Sequence, residues 1–447
     1  MSILGRAALW TLIVFACFYI IKAIYRITLH PLARFPGPKL PAMTRCYEAY
    51  YEVFVDGTGG KFGEKIEEWH KQYGPIIRIN PFELHVNDPE FFDELFNFNP
   101  HLWKRTFAID NLVHTPSSAQ YKKRRQVLQN YFSQQKTLQM TYIVRDRIKA
   151  LANYPVARKG TGEPIKASLI RFVEDPEYSE GYFSSTQNTF KNIYFFPRAM
   201  SHKIRSDTDR SPPTIFDEYK DNRLPPEEKT PNRIFQVALM PLGAGAGTPS
   251  YVLDIATYYI LADPAISQRV KAELVCVWPD PADPAPDVSV LEDLPFLRGC
   301  VKEALRLALG PMARLQDMKY GEWTIPRGTP VGMTHRFIHH DPAIYPDPFE
   351  FKPGRWMQGD ESKKLEKYLV TLRGSRQCLA ILLAYTELYL SLATLFRQFD
   401  LELYETDRTC VDPKYDYFAP FPEKHDLSNG RLRFVVQDSV YVEGRKL

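Results

Sequence analysis

The sequence predicts a mainly α-helical protein with a minor β-sheet (an α+β chain), preceded by an N-terminal transmembrane helix. Three observations carry this. An uncharged apolar run opens the chain, apolar residues at helical spacing dominate the rest of it, and strand-like alternation is confined to short stretches. With 447 residues, 44% of them apolar and 13% aromatic, the chain can bury a sizeable core, which excludes a disordered protein. A net charge of +4 is small for this length and gives no footing for a nucleic-acid partner. The cysteines at 17, 46, 276, 300, 378 and 410 form no CxxC pair and no regular spacing. They read as reduced thiols on the cytosolic side, neither a disulfide framework nor a zinc site.

Residues 7–21, AALWTLIVFACFYII, carry no charge. Extended to 3–25 they reach the roughly 20 residues that cross a bilayer, with Arg6 and Lys22 snorkelling to the interfaces. The next stretch is the proline-rich HPLARFPGPKLP and not a small-x-small cleavage site, so residues 1–29 read as an uncleaved anchor. Lys22, Arg26 and Arg34 against Arg6 and the terminal amine place the C-terminal side in the cytosol.

Residues 74–88, GPIIRINPFELHVND, predict two short strands around a turn at Asn80-Pro81. Residues 118–135 predict a helix with a basic face, and 155–235 are polar and loop-rich. A long apolar helix is expected from Phe235 to about Leu261, interrupted by GAGAGTP and closed by Asp263-Pro264, with a further helix to about Cys276. DLPFLRGCVKEALRLAL is an amphipathic helix, GEWTIPRGTPVGM a strand, a turn and a second strand, and HHDPAIYPDPFEFKPGRW an irregular stretch. LAILLAYTELYLSLATLFRQF is the last long helix. No internal repeat is present, so residues 30–447 read as one large domain.

Chemistry concentrates at residues 373–380, RGSRQCLA. A thiolate needs nearby positive charge or hydrogen bonds, and Arg373 and Arg376 stand close to Cys378 in sequence. Gly374 lets the backbone pass close to a bulky group, and the next helix aims its N-terminal N–H groups at the sulfur. These eight residues alone leave two readings open: an axial thiolate at a helix N-terminus, or a buried structural cysteine in a basic loop. Glu303-x-x-Arg306 puts a carboxylate and a guanidinium on one helix face, and Arg355 can complete a buried Glu–Arg–Arg cluster. Alone, Glu303/Arg306 is an ordinary surface pair. The order Glu-x-x-Arg, Arg-Trp, then Gly-x-Arg-x-Cys is far more specific.

On these motifs the chain resembles the microsomal cytochrome P450s, haem-thiolate monooxygenases, from the anchor to the C-terminus. The family's haem-binding pattern falls on Thr371, Gly374, Arg376, Cys378 and Ala380, its Glu-x-x-Arg on Glu303 and Arg306, and its Arg-Trp on Arg355 and Trp356. HPLARFPGPKLPAMTRCYEAYY, IIRINPFELHVNDPEFFDELF and LPPEEK most resemble fungal members that oxidise terpenoids and other secondary metabolites, the trichodiene-oxygenase-like group in particular.

The resemblance implies a cytochrome P450 fold, shortened in the middle, holding heme b. Cys378 would be the axial thiolate and the metal ligand. Arg376, Tyr121 and Arg125 would pair with haem propionates, with Gly374 in the same loop, and Glu303, Arg306 and Arg355 would brace the fold. Gly247 and Thr248 fall where the family opens its central helix to O2, the hydroxyl and a preceding acid serving proton delivery. A second register would use Ala246-Gly247 and place Pro249 and Ser250 there, but it needs a deletion. Lys122, Lys123 and Arg124 are expected on a solvated basic face. The implied setting is a monomer, single-pass in the endoplasmic reticulum membrane, with its catalytic domain cytosolic. Its implied partners are an NADPH-cytochrome P450 reductase and a hydrophobic small molecule. His335, His339 and His340 match a structural stretch of the family and do not read as a metal site.

Several positions depart from the pattern: Thr371, Ala380, Gly354, Gly247 in place of the acid, and Asp317 where a further propionate arginine is usual. Between Arg125 and Thr248 the chain is also short for the family. Two other readings therefore stand beside the monooxygenase: a haem-thiolate isomerase or dehydratase, and a catalytically impaired or non-functional remnant.

Overall fold

The computed structural model describes residues 3–57, 59–92, 94, 115, 118–157, 165–166, 224–308, 313–315, 319–369, 377–416, 420–423 and 433–439. They belong to two compact units, residues 1–104 with 311–338, and 105–310 with 339–447.

The first unit begins with helix α1 (Ile3–Thr28). Its span Leu9–Thr28 is long and apolar enough to cross a membrane, and none of it is buried. The chain then turns at His30 into the proline-rich hinge. Buried Arg78 holds that turn, donating to the carbonyls of Arg26 at 2.7 Å and Pro81 at 2.8 Å. Helix α2 (Phe62–Tyr73) buries Phe62, Ile66 and Trp69, spaced by one turn, against Ile77, Ile79 and Phe337.

The sheet beside α2 runs in the order Ile76–Arg78, Leu84–Val86, Val331–Met333, Ala313–Leu315. The first and last pairs are antiparallel and the middle pair parallel. The two strands expected in 74–88 are both present. The strands flanking Pro-Arg-Gly-Thr are present too, but they do not pair with each other. Trp323–Thr324 closes a hairpin with Lys319–Tyr320, while Val331–Met333 enters the larger sheet. Pro326 and Pro330 cannot donate to a ladder, and this keeps the two pairings separate.

Two histidines join α2 to this sheet. His70 Nδ1 lies 2.8 Å from the Gly74 carbonyl, which only accepts, so Nδ1 carries the proton. His70 Nε2 then accepts from His85 Nδ1 at 2.7 Å, and His85 Nε2 accepts from the Thr334 hydroxyl at 3.0 Å. The Phe337 ring packs edge-on to both imidazoles. Burial pushes the His70 pKa down to about 4, against the opposing pull of the Gly74 carbonyl.

The second unit is built on helices α3 (Ser118–Tyr131), α4 (Gln134–Ala157), α5 (Pro231–Ala262), α6 (Pro264–Val277), α7 (Pro295–Leu307) and α8 (Ile381–Gln398). One core joins Tyr251, Ile255 and Ile260 of α5, Leu297, Val301 and Ala304 of α7, and Leu388, Leu392 and Leu395 of α8. The start of α5 is capped by Thr230, whose hydroxyl accepts from the Arg233 N–H, with Pro231 in the first turn. At its end Asp263 caps α6 by accepting from the Ala265 N–H at 2.9 Å.

GAGAGTP does not interrupt α5, contrary to expectation: the helix runs unbroken through 32 residues. Pro249 removes one N–H, and the buried run from Tyr251 to Ile260 outweighs that loss and the low helix propensity of the glycines. A smaller sheet, not foreseen in the sequence, pairs Arg433–Ser439 with both Phe399–Leu403 and Ile165–Lys166. The result is a mainly helical chain with small sheets, as predicted.

Candidate functional site

Cys378 lies two residues before Ala380, the N-cap of α8, so the unpaired N–H groups of that helix's first turn open towards the cysteine loop. Its side chain is reachable by solvent, yet enough protein surrounds it that desolvation pushes its thiol up from the ordinary value. Two features pull the other way, towards thiolate: the backbone N–H of Ala380 and the charge of Arg125.

Helix α3 brings that arginine in. Tyr121, Arg124, Arg125 and Leu128 share one face at the i, i+3, i+4, i+7 spacing. Tyr121 and Leu128 are buried, with Leu379 of the cysteine loop packed against them. Arg125 Nη1 donates to the Tyr121 hydroxyl and to the Gln377 carbonyl, each at 2.8 Å. Two widely separated stretches singled out in the sequence, YKKRR and RGSRQCLA, therefore meet beside Cys378.

Arg124 departs from expectation. Lys122 and Lys123 are exposed as foreseen, but Arg124 is buried, because it falls one turn from Tyr121 on the inward face. Its guanidinium forks onto Glu228, Nη2 to Oε1 at 2.7 Å and Nε to Oε2 at 3.0 Å, and Nη1 donates to the Thr115 hydroxyl at 2.7 Å. Glu228 also accepts from Arg233 Nε and Gln120 Nε2, each at 2.8 Å. Burial works against its ionisation, but these donors overcome it and hold the carboxyl down at about 2. Sequence reasoning missed this cluster. The acidic pair in LPPEEK just before a long helix, set against KKRR, was a signal of charge complementarity, though it could not say which glutamate turns inward.

The Glu303 cluster is the other constellation brought together. Glu303 and Arg306 are fully buried on α7. Glu303 accepts from Arg306 Nη2 at 2.8 Å, Arg306 Nε at 3.0 Å, Arg355 Nε at 3.2 Å and the Lys352 N–H at 2.9 Å. A fifth donor, Trp356 Nε1 at 2.8 Å, went unforeseen as a partner. Arg306 reaches on to the carbonyls of His339, Pro348 and Glu350. The irregular proline-rich stretch is thus held by backbone carbonyls that one guanidinium satisfies. Gly299, one turn before Glu303, lets α7 press against this stretch: a Cβ there would stand 2.6 Å from the Pro353 carbonyl oxygen.

On α5, Thr248 is exposed and its hydroxyl donates to the Ala244 carbonyl at 2.7 Å, one turn back. Gly247 precedes it in the same helix. Arg376, Gly374, Thr371 and Asp317 lie outside the described residues. His335 is buried, and burial pushes its pKa down to about 4. Among the described residues no three His, Cys, Asp or Glu side chains converge as metal ligands.

The donor set at Cys378 fits an iron-binding thiolate: a solvent-reachable sulfur, one backbone N–H aimed at it, a helix N-terminus and a guanidinium nearby. Comparison with known proteins gives the family. The family model for cytochrome P450 matches residues 186–423. The cytochrome P450 monooxygenase sdnE of Sordaria araneosa is 34% identical, over 94% of this chain and 97% of that protein. The cytochrome P450 monooxygenase MO6277 of Ascocoryne sarcoides is 33% identical over 91% and 94%. The stellatic acid synthase of Emericella variicolor is 31% identical over 92% of each. The chain belongs to the cytochrome P450 monooxygenases, a family of oxidoreductases. The alignment with sdnE runs to 506 positions, more than the 447 residues of this chain, so that relative carries segments this chain lacks.

Proposed function

We propose that this chain is a membrane-anchored haem-thiolate monooxygenase that places one oxygen atom from O2 into a hydrophobic small molecule, a terpenoid or another secondary metabolite. The observation that carries it is the contact of Arg125 with the Gln377 carbonyl, which sets a guanidinium and Tyr121 beside Cys378. Heme b bound at Cys378 would supply the iron–oxygen redox chemistry.

The chain's own residues hold and orient it. Cys378 would hold its iron through the thiolate, Arg125, Tyr121 and Arg376 would bind its propionates, and Gly374 would let the backbone pass close to the ring. Glu303, Arg306 and Arg355 brace the segment that leads into the cysteine loop. At the oxygen side, Gly247 stands where an acid is usual and leaves the Thr248 hydroxyl as the side-chain proton carrier of that turn.

In this reading residues 1–29 anchor the chain in the endoplasmic reticulum membrane and residues 30–447 form one monomeric haem domain in the cytosol. Electrons come from an NADPH-cytochrome P450 reductase. The fungal relatives support a secondary-metabolite substrate, one of them being a synthase of an acid, as its name states. The hinge and LPPEEK support a place near the trichodiene-oxygenase-like members.

Reconstitution of the full chain with reductase in vesicles, followed by a panel of terpenoids, tests this. The expected result is an NADPH-dependent product one oxygen atom heavier, with the label delivered from isotopic O2. Conversion of substrate without uptake of that label would overturn it in favour of an isomerase or dehydratase.

A further inference from the structure

We infer that Glu228 is a positioning residue for the haem site. Its one carboxylate sets where α3 stands against the start of α5, and through α3 it sets where the Arg125 guanidinium meets the cysteine loop. This role rests on the haem-thiolate reading of Cys378.

Glu228 sits in the short turn Pro226–Lys229, three residues before α5. It takes the Arg124 fork from α3 and the Arg233 Nε from the first turn of α5, so one acid clamps the two helices together. The cluster is almost dry: side-chain exposure is 10% for Glu228, 3% for Arg124 and 7% for Arg233. Arg124 and Arg125 are consecutive, so they leave α3 about 100° apart. One grips Glu228 while the other reaches the Gln377 carbonyl. Both stand on one turn of the same helix, so a displacement at Arg124 is carried to Arg125. Without the carboxylate, the Arg124 fork and the Arg233 Nε lose a charged acceptor they share in a space water hardly reaches, and the hold of α3 on the start of α5 loosens.

A merely structural carboxylate would lower stability and leave the haem's electronic environment alone. The test therefore uses full-length holoprotein carrying Glu228→Gln, Glu228→Asp or Arg233→Gln beside the unaltered chain. It reads the rate of haem transfer to apomyoglobin, the ferric/ferrous reduction potential and the thermal midpoint. Glu228→Gln should speed haem loss about tenfold, the worth of one charged hydrogen bond. It should also move the potential in the negative direction, because a cation has left the thiolate's side. Glu228→Asp should fall between. Arg233→Gln leaves the Arg124 fork in place, so it should lower the midpoint and leave the potential where it was.

The role is overturned if Glu228→Gln lowers the midpoint with haem loss and potential unchanged, or if Arg233→Gln moves the potential as far as Glu228→Gln. Should Glu228→Gln not fold, the contrast between Glu228→Asp and Arg233→Gln decides by the same criterion. An unaltered chain without a thiolate-type spectrum refutes the haem reading itself, before any variant is compared.

Discussion

Arg125 and Gln377 stand 252 positions apart in sequence and meet at 2.8 Å, guanidinium to backbone carbonyl, next to Cys378. The same nitrogen is already tethered to Tyr121 on its own helix. A positive charge is therefore delivered to the cysteine loop by a side chain that has little freedom to leave it.

Replacing Arg125 with alanine should speed haem loss about tenfold, since a charge-assisted hydrogen bond of roughly 1.5 kcal/mol disappears. Arg125→Lys should recover only part of this, because an ammonium cannot reproduce the planar fork. Tyr121→Phe removes one hydroxyl and should have the smallest effect of the three. Haem transfer to apomyoglobin, followed by absorbance, gives the three rates on one scale.

Glu303 accepts five hydrogen bonds, and its loss leaves two guanidiniums and an indole N–H without their acceptor. Glu303→Gln should cost about 3–5 kcal/mol, the usual cost of breaking a buried ion pair by removing one partner. Trp356→Phe keeps an aromatic ring but loses the indole N–H and part of the packed volume, and should cost about 1–3 kcal/mol. Gly299→Ala, which forces a Cβ against backbone, should cost about 1–3 kcal/mol. Denaturant midpoints of detergent-solubilised variants would rank them, and a Glu303→Gln chain as stable as the unaltered one would contradict the cluster's bracing role.

These contrasts show what was legible in the sequence. Helical periodicity located α5, α7 and α8, and the order of Glu303, Arg306, Arg355 and Cys378 pointed to the candidate site, because local pattern and motif spacing survive folding. Positions decided by tertiary contact did not show. Arg124 reads like its lysine neighbours until the face of α3 that turns inward is known. Glu228 and Trp356 find their partners only in space. The glycine–proline segment of α5 reads as an interruption, yet core packing on its C-terminal side keeps it helical. The pairing of Arg433–Ser439 joins strands remote in sequence, which alternation alone cannot match.

Thr248 should matter for coupling and little for stability. Its hydroxyl bonds back to Ala244 within one helix, so Thr248→Ala removes a bond that contributes little to the helix and substitutes a better helix former, by up to about 0.7 kcal/mol. Product formed per NADPH consumed should nonetheless fall about tenfold or more if the hydroxyl carries protons. Thr248→Ser should restore it. Unchanged coupling in Thr248→Ala would remove this residue from the oxygen chemistry.

His70 makes the first unit acid-sensitive. Its folded pKa, about 4, lies below the ordinary histidine value, so the native state refuses a proton that the unfolded chain accepts. The contribution is complete above about pH 6.5 and is lost as pH falls from there towards 4, amounting to about 3 kcal/mol at most. Denaturant midpoints measured across this window should decline towards acid, and His70→Gln should flatten the slope. An equally steep decline in His70→Gln would place the titrating group elsewhere.

The central claim is that the Cys378 sulfur binds a haem iron, and the carbon monoxide difference spectrum of the reduced full-length protein tests it most directly. The account predicts a Soret band at the thiolate-typical position in the unaltered chain and its loss in Cys378→Ala. A thiolate-type band that persists in Cys378→Ala, or an unaltered chain that takes up no haem, would contradict it.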